Sequence, residues 1–407
     1  MSAPHHALVF GASGILGWSV VNQILKNYPE RGVFHKVTAL SNRPLSEENA
    51  FWPLSGPGKP VLSIVDGIDL TLGTMDHMKE TLRLRVPDIG SVTHIYYFAY
   101  LSHPDFPTES HINLGMLQRG FAAAESLAPN LHMPFYRLAP RLALDIGYGI
   151  HLPQRPFQAP FTEEMSDVHQ PWHDELFYYV LHAELDKLQK GKSWKFAEVR
   201  CGPVVGFVPH KNPYNLAGAC VNFLSVYKFL HEQGHPDAKS EKIPWPAAPE
   251  DCDTLFNDGG QDIFAEFSIY LCLHPEIAGN SEVYNIGDAS EPASMSDRWR
   301  VICSLFGLQG VPPVEKSDPA FVLPSKFLHD HPEAVNQLKE EQGVTLQEIA
   351  LEDTIEVFTD WINFDHHFSF TKTRKTGFDH ELSLEDSWRM VFDRYHQAKH
   401  CYYGRTD

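Results

Sequence analysis

The chain has 407 residues, 43% of them hydrophobic, and a formal net charge of −19, which allows one large or two ordinary folded domains. The 52 acidic residues outnumber the 33 basic ones and no dense Lys/Arg run occurs, so nucleic acid is a poor partner and a disordered acidic chain is excluded. The six cysteines contain no C-x-x-C pair, and no apolar run is long enough to cross a bilayer. We therefore expect a cytoplasmic protein with reduced cysteines and no membrane partner.

Strands and helices alternate in the first half of the chain. Short apolar runs predict strands at 7–10, 37–40, 61–65, 92–98, 135–138 and 196–200. Helical periodicity predicts helices that start near residue 15 and that span 74–84, 113–128 and 174–190. This alternation predicts an α/β Rossmann fold, a doubly wound parallel sheet with helices on both faces.

The pattern changes after Gly202. Helices are predicted over 215–230, 297–306 and 354–364, a proline-rich loop over 238–251, and a short strand at 283–286. We predict a dinucleotide-binding domain over residues 1–205 and a smaller, mostly helical, substrate-binding cap over 206–407, of which about 254–290 returns to the sheet. A monomer and a homodimer are both compatible with this sequence.

A glycine-rich turn, G-A-S-G-I-L-G, joins the first strand to the first helix. Its first glycine permits a tight turn, the second lets the backbone approach a pyrophosphate, and the third lets the helix pack on the strand. In this strand–turn–helix context the motif predicts a dinucleotide site. The predicted contacts from this turn are Gly11, Ser13, Gly14, Ile15, Leu16 and Gly17.

The end of the second strand indicates which dinucleotide binds. NAD enzymes usually have Asp or Glu there, but this strand runs into Ser41, Asn42 and Arg43. A hydroxyl and a guanidinium suit a ribose 2′-phosphate, so we predict NADP(H) as the cofactor. Further cofactor contacts are expected from residues after the third and fourth strands, namely Asp66, Asp69, Ala99 and Tyr100.

Several motifs in the correct order identify a family resemblance. They are G-A-S-G-I-L-G, S-N-R-P, V-T-H-I-Y-Y, F-Y-Y at 177–179, R-C-G-P-V-V-G at 200–206, and S-F-T-K with G-F at 369–378. The chain resembles an atypical extended short-chain dehydrogenase/reductase of the progesterone 5-beta-reductase and iridoid synthase-like group, in a fungal-type form. The resemblance implies NADPH-dependent reduction of the C=C bond of an enone or enal in a small apolar carbonyl compound of secondary metabolism. It also implies that Pro203 and Val205 flank the nicotinamide.

The catalytic residues of that family are only partly present. The family motif Phe-Tyr-Tyr-x-x-Glu-Asp maps onto 177–183, where the tyrosines match but His182 and Ala183 replace the acidic pair. The family segment Thr-Gly-x-Lys-x-Tyr aligns with 143–148, where Tyr148 matches but Ile146 stands at the lysine position. A shift in alignment recovers no lysine, since none occurs between Lys79 and Lys187.

The two tyrosines at 178 and 179 are the predicted catalytic centre. We predict that Tyr178 stabilises the enolate, with Tyr179 as its rival, and that His182, four residues after Tyr178, replaces the usual lysine in part. The alternative is that the tyrosine pair is core packing. Substrate-pocket residues are expected at Tyr100, Tyr148 and Phe207, and the scattered histidine pairs predict no metal centre.

Loss of the lysine limits the possible chemistry. Carbonyl reduction needs a tyrosine that delivers a proton, whereas conjugate reduction needs only a hydrogen-bond donor at the developing enolate. Reduction of a C=C bond is therefore favoured. Two other functions stay open, a non-redox cyclase or isomerase on the same scaffold and a binding protein that senses NADP(H).

Overall fold

The computed structural model describes residues 4–54, 56–137, 158–165, 176–212, 215–247, 253–348, 355 and 364–404. Its central sheet has seven strands: β1 (His5–Phe10), β2 (Phe34–Leu40), β3 (Val61–Val65), β4 (His94–Tyr97), β5 (Met133–Arg137), β6 (Ala197–Cys201) and β7 (Glu282–Ile286). Their order is β3-β2-β1-β4-β5-β6-β7, and every neighbouring pair is parallel. This is the strand order of a doubly wound sheet, which confirms the predicted Rossmann fold.

Helices cover both faces of this sheet. On one face lie α2 (Met75–Arg85), α3 (Phe106–Leu127) and α4 (Phe177–Gln189), which bury the side chains of Phe10 and Tyr97. On the other face lie α1 (Ile15–Leu25) and α6 (Gln261–Leu273), which bury those of Val9 and Val199. Helix α5 (Leu216–Glu232) belongs to the same core but packs on helices of the second half of the chain. Adjacent strand residues point to opposite faces, so each strand contributes to both cores.

The second half of the chain adds helices and short ladders. Its further helices are α7 (Met295–Ser304), α8 (Pro324–Asp330), α9 (Pro332–Gln342) and α10 (Leu384–Gln397), with short helices at Pro275–Ala278 and Thr371–Lys375. The first half also contains a short helix, Glu47–Ala50, between β2 and β3. Short strands pair 204–205 with 259–260, 255–256 with 293–294, and 242–244 with 309–311. Strand β7, which corresponds to the strand predicted at 283–286, lies at the edge of the central sheet beside β6.

Two predicted elements differ clearly from the structure. Helix α3 begins at Phe106 instead of residue 113, because the Asp105 carboxylate caps it by accepting the Thr108 N–H at 3.0 Å. The loop predicted over 238–251 contains the strand Lys242–Pro244. Most of the helix predicted over 354–364 lies outside the described residues. Among the residues that are described, no helix is both long and apolar enough to cross a membrane.

Candidate cofactor and active site

The glycine turn between β1 and α1 brings backbone segments into close contact. Gly11 has a φ of +73°, and a Cβ atom on it would lie 2.7 Å from the backbone carbonyl carbon of Phe98. A Cβ atom on Gly17 would lie 2.3 Å from the carbonyl oxygen of Gly11, so no larger residue fits there without movement. Gly14 caps α1 without a side-chain hydrogen bond, and the first helical turn has no acidic residue. The amino end of α1 therefore fits the phosphates of a dinucleotide.

A cleft of about 400 Å³ lies at the carboxyl ends of β1, β2 and β4. Here the strand order reverses around β1, and doubly wound sheets bind ligands at this switch point. The cleft is lined by nine of the predicted cofactor residues, Gly11, Ser13, Gly14, Ser41, Asn42, Arg43, Asp69, Ala99 and Tyr100. Ile15, Leu16 and Gly17 are buried in the first turn of α1. We call this cleft the cofactor groove.

Ser41 connects the end of β2 to the glycine turn. Its Oγ lies 2.9 Å from the Oγ of Ser13 and 2.9 Å from the carbonyl oxygen of Arg43. The Arg43 Nη1 donates a hydrogen bond of 2.8 Å to the carbonyl oxygen of Lys211, which uses one of the five N–H donors of a guanidinium. Partial burial lowers the pKa of Arg43, but a guanidinium stays charged at neutral pH. A fixed positive charge therefore borders the groove.

The two aspartates after β3 have different surroundings. Asp69 lines the groove, and its Oδ1 accepts hydrogen bonds from the Thr71 amide at 2.8 Å and the Thr71 hydroxyl at 2.6 Å. Asp66 is not on the groove wall, and its Oδ1 lies 3.6 Å from Nη2 of Arg85. The structure thus brings Asp69 to the groove and pairs Asp66 with an arginine outside it.

Two polar side chains of α3 hold the loop that follows β4. The Tyr100 hydroxyl donates a hydrogen bond of 2.6 Å to the Glu109 carboxylate, and burial raises the pKa of Glu109. The Asn113 amide accepts the Leu101 N–H at 3.0 Å and donates to the Leu101 carbonyl at 2.8 Å. Sequence reasoning missed Glu109 and Asn113. Their signal is polar side chains spaced i, i+4 on a helix face that is otherwise apolar.

The loop after β6 runs beside the glycine turn. The Pro203 carbonyl accepts the Gly259 N–H at 2.9 Å, and Val205 pairs with Gly260 in a short parallel ladder. A Cβ atom on Gly206 would lie 2.8 Å from Cδ1 of Ile15, in the first turn of α1. Pro203 and Val205 are both buried, and both belong to a segment that packs against the start of that helix.

The predicted substrate-pocket residues do not share one wall. Tyr100 lines the cofactor groove, while Tyr148 lies outside the described residues. Phe207 is only 1% exposed and packs on Trp18 and Tyr395, with ring centroids 5.2 and 5.0 Å away. The structure therefore places Phe207 in the core between α1 and α10 and not on the groove wall.

Tyr178 and Tyr179 lie in the first turn of α4. Tyr178 is 2% exposed, and its ring packs on Phe177 with a centroid distance of 4.0 Å. Phe177 in turn packs on Tyr100, with centroids 5.2 Å apart, and Tyr179 is half-buried. A series of aromatic contacts therefore connects Tyr178 to the wall of the cofactor groove.

His182 lies one helical turn after Tyr178, and both of its ring nitrogens have partners. Its Nδ1 lies 2.8 Å from Oε2 of Glu198, and its Nε2 lies 2.8 Å from Oγ of Ser281. Burial lowers the pKa of His182, but the hydrogen bond and charge of Glu198 outweigh burial and raise it overall. These bonds tie α4 to β6 and to the start of β7.

Glu198 is the centre of this network. Its Oε1 accepts a hydrogen bond of 2.6 Å from Nε of Arg200. Burial opposes ionisation of Glu198, but the Arg200 guanidinium and the His182 ring together hold its pKa at about 2. The network is therefore an ionised one on the face of the sheet that α4 covers.

A second cavity, of about 630 Å³, lies beyond the carboxyl end of β7. Its lining combines aromatic rings, hydroxyls and cationic groups: Pro160, Ser290, Pro292, His367, Phe368, Ser369, Phe370, Thr371, Arg374 and Lys375. Such a lining suits a small molecule with an apolar body and oxygen substituents. Sequence reasoning assigned none of these residues to a pocket.

Residues 7–401 match the family described as PRISE-like Rossmann-fold domain. The chain is 27% identical to the short chain dehydrogenase ausT of Aspergillus calidoustus, over 97% of this chain and 93% of that protein. It is 29% identical to the short chain dehydrogenase sirQ of Leptosphaeria maculans, over 95% of each. The 3-oxo-Delta(4,5)-steroid 5-beta-reductase of Arabidopsis thaliana is 23% identical, over 74% of this chain and 69% of that protein.

Among solved structures, a UDP-glucose 4-epimerase of Thermus thermophilus in complex with NAD resembles this chain with a TM-score of 0.55. The two share 15% identity over 96% of this chain and 99% of that chain. At this identity the likeness shows a shared fold alone.

Proposed function

Because this chain belongs to the PRISE-like Rossmann-fold family, as its motifs predict, we propose that it reduces the C=C bond of a small apolar enone or enal with NADPH. The observation that carries this proposal is the contact series from Tyr178 through Phe177 to Tyr100, which links the tyrosine of the family motif to the groove wall. The Arabidopsis relative, by its name a steroid 5-beta-reductase, supports C=C reduction. The fungal relatives are named only as short chain dehydrogenases.

The choice of NADPH over NADH rests on Arg43. The guanidinium borders the groove at the end of β2, next to the Ser41 hydroxyl. The bond to the Lys211 carbonyl orients the guanidinium and leaves donors for a bidentate contact to a 2′-phosphate. Gly14 and the uncapped start of α1 would hold the pyrophosphate.

The proposed chemistry needs little from the protein beyond a hydrogen-bond donor. When bound, NADPH supplies the hydride that adds to the β-carbon of the enone. The C=C π electrons then form a double bond between the α-carbon and the carbonyl carbon, while the carbonyl π electrons move to the oxygen. The Tyr178 hydroxyl donates a hydrogen bond to this developing enolate oxygen. Tyr179 is the alternative donor. A proton from water at the α-carbon completes the reduction.

A non-redox cyclase or isomerase is the second candidate, and the surroundings of His182 favour it. The chain has no lysine between Lys79 and Lys187, and both nitrogens of His182 are bound by Glu198 and Ser281. In this proposal His182 is a positioning residue for α4 and does not replace the missing cation. A tyrosine without such a cation is a weaker acid but still a donor, so the site can stabilise an enolate without hydride transfer.

The test is turnover of a panel of enones and enals, followed by NADPH absorbance and by the mass of the product. We expect product heavier by two hydrogens and one NADPH consumed per product. Tyr178→Phe should lower kcat by about 100-fold, the cost of one enolate donor, with the KM for NADPH nearly unchanged. The matched control is Tyr227→Phe, because the Tyr227 hydroxyl bonds the Ser240 carbonyl within the second half of the chain. Conversion at the same rate without NADPH would favour the cyclase or isomerase.

A further inference from the structure

Three potential metal ligands converge at the surface of the second half of the chain. His235 and Asp237 flank the start of the short 3-10 helix Pro236–Ala238 after α5, and His331 lies at the junction of α8 and α9. One ligand atom from each lies within 4.8 Å of the other two. Among the residues that the structure describes, this is the group of three that meets this geometry. We propose that His235, Asp237 and His331 bind a zinc ion.

The orientation of His331 supports this proposal. Its Nδ1 lies 2.8 Å from the carbonyl oxygen of Phe327, and since a carbonyl only accepts, Nδ1 carries the hydrogen. In the neutral ring, Nε2 then has a lone pair, and it lies 3.2 Å from Oδ2 of Asp237. Two acceptors that face each other need a proton or a cation between them. A backbone carbonyl that holds the far nitrogen is also the usual support of a metal-bound histidine.

His235 contributes a third lone pair. Its Nδ1 accepts the Asp237 N–H at 3.3 Å, a long hydrogen bond, and lies 4.0 Å from Oδ2 of Asp237. The His235 and His331 rings meet edge to face, with centroids 5.2 Å apart. A cation at this position would replace a weak bond and would pull no buried group from the core, because Asp237 is exposed and both rings are partly exposed.

The donor set selects the metal. Two imidazoles and one carboxylate suit Zn²⁺, whereas Mg²⁺ and Ca²⁺ prefer sites made of oxygen alone. Tetrahedral ligands at about 2.0 Å from zinc lie about 3.3 Å apart. The pair of His331 and Asp237 already has this spacing at 3.2 Å, and His235, whose Nδ1 lies 4.0 Å from Asp237, must approach by up to about 1.5 Å. Water would occupy the fourth position.

The site has a structural consequence separate from the proposed reduction. It would join the turn after α5 to the junction of α8 and α9, and none of its residues lines the cofactor groove. A ligand that binds only the folded state stabilises it, so zinc should raise the thermal midpoint without being needed for nicotinamide binding. No metal centre is predicted from the sequence, because His235 and His331 are far apart in the chain and share no motif spacing.

The test is zinc titration of the full chain by calorimetry after treatment with a chelator, with thermal melts in parallel. We expect one equivalent of Zn²⁺ bound in the micromolar range or tighter, and a Tm rise of roughly 3 °C at a 100-fold excess of zinc over Kd. His331→Ala and Asp237→Asn should each lose that equivalent and the Tm rise. The matched control His329→Ala, an exposed histidine on α8, should keep both.

Circular dichroism spectra recorded without metal distinguish loss of the site from misfolding. We expect the spectrum of every variant to match that of the unsubstituted chain. If a variant misfolds, the visible absorption of Co²⁺ added to the unsubstituted chain tests the site instead. Imidazole and carboxylate ligands in tetrahedral geometry give Co²⁺ visible bands of distinctive intensity. Absence of a zinc equivalent in the unsubstituted chain, or its survival in His331→Ala, would overturn the proposal. Either result would mean that His331 and Asp237 form a surface ion pair alone.

Discussion

The Nδ1 of His182 lies 2.8 Å from Oε2 of Glu198, and this contact joins the helix that carries Tyr178 to the strand that leads into Pro203. The helix with the proposed enolate donor and the strand before Pro203 therefore share one ionised network. The histidine at the fourth position after Tyr178 is fixed by this network. The bonds of His182 to Glu198 and Ser281 thus anchor α4 to β6 and to the start of β7.

Glu198→Gln should destabilise the fold by about 3 kcal/mol, because it removes the buried carboxylate that bonds both Arg200 and His182. The matched control is Glu385→Gln, since the Glu385–Arg389 pair is exposed and should be worth less than about 1 kcal/mol. Urea denaturation of both variants at pH 7 measures the difference. Because the pKa of Glu198 is about 2, its contribution should be complete above pH 4.5 and fall as the pH approaches 2. Equal losses in the two variants would contradict this account.

The stability of the chain should also fall between pH 7 and pH 5 through His6. Burial and the nearby Lys36 lower the pKa of His6 from 6.5 to about 4, and its ring nitrogens bond Ser91 and Thr38. A lowered folded-state pKa stabilises the fold above pH 6.5, and this contribution is lost as the pH falls toward 4. At pH 5 the free energy of unfolding should be lower by about 2 kcal/mol through His6 alone.

Unfolding free energies measured at pH 7 and pH 5 test the contribution of His6 to acid sensitivity. His6→Gln should be less stable at pH 7 but should lose about 2 kcal/mol less on acidification than the unsubstituted chain. His111→Gln, at an exposed position on α3, should behave like the unsubstituted chain. An unchanged pH dependence in His6→Gln would show that other groups cause the acid sensitivity.

Gly17→Ala should disrupt the glycine turn, because the new Cβ atom would lie 2.3 Å from the Gly11 carbonyl oxygen. We expect destabilisation of about 1–3 kcal/mol from overpacking and loss of nicotinamide binding. Gly56→Ala is the control, since its Cβ would meet nothing within 4 Å. Calorimetric binding of NADPH and thermal melts measure both effects, and full NADPH binding by Gly17→Ala would refute the proposed pyrophosphate position.

Arg43→Ala should weaken NADPH binding about 10- to 100-fold and NADH binding by no more than about twofold, because only NADPH carries the 2′-phosphate. Arg85→Ala is the control, since that arginine pairs with Asp66 outside the groove. Fluorescence titration with both dinucleotides measures the ratio. Equal losses for NADPH and NADH would mean that Arg43 does not contact the 2′-phosphate.

The elements that the sequence predicted best have strong local signals. Strand β3 spans 61–65 as predicted, and the glycine turn forms the cradle that its spacing requires. Helix α6 was missed because most of its residues are buried, and the one partly exposed face, of Glu266, Tyr270 and Leu273, is too narrow to give a strong 3.6-residue pattern. Asp66 and Phe207 differ from their expected surroundings because Arg85, Trp18 and Tyr395, which are distant in sequence, are their partners.

The site is harder to predict than the fold. The position of the groove follows from the carboxyl ends of the parallel strands. The order of strands and helices along the chain fixes where those ends lie. The hydrogen bonds of Glu109 and Asn113 to the loop after β4 depend on tertiary contact, and sequence periodicity carries no information on which polar side chain faces which loop. The same holds for His182, whose spacing from Tyr178 suggested a cation beside the tyrosine, whereas its bonds go to Glu198 and Ser281.

The most direct test of the central claim is the transfer of deuterium from NADPH deuterated at C4 to an enone. If the chain reduces the C=C bond as proposed, the product should gain one deuterium at its β-carbon, and Tyr178→Phe should lower the rate of transfer while NADPH binding persists. Product that forms without deuterium, at an unchanged rate in the absence of NADPH, would contradict the reductase and leave the cyclase or isomerase as the activity of this site.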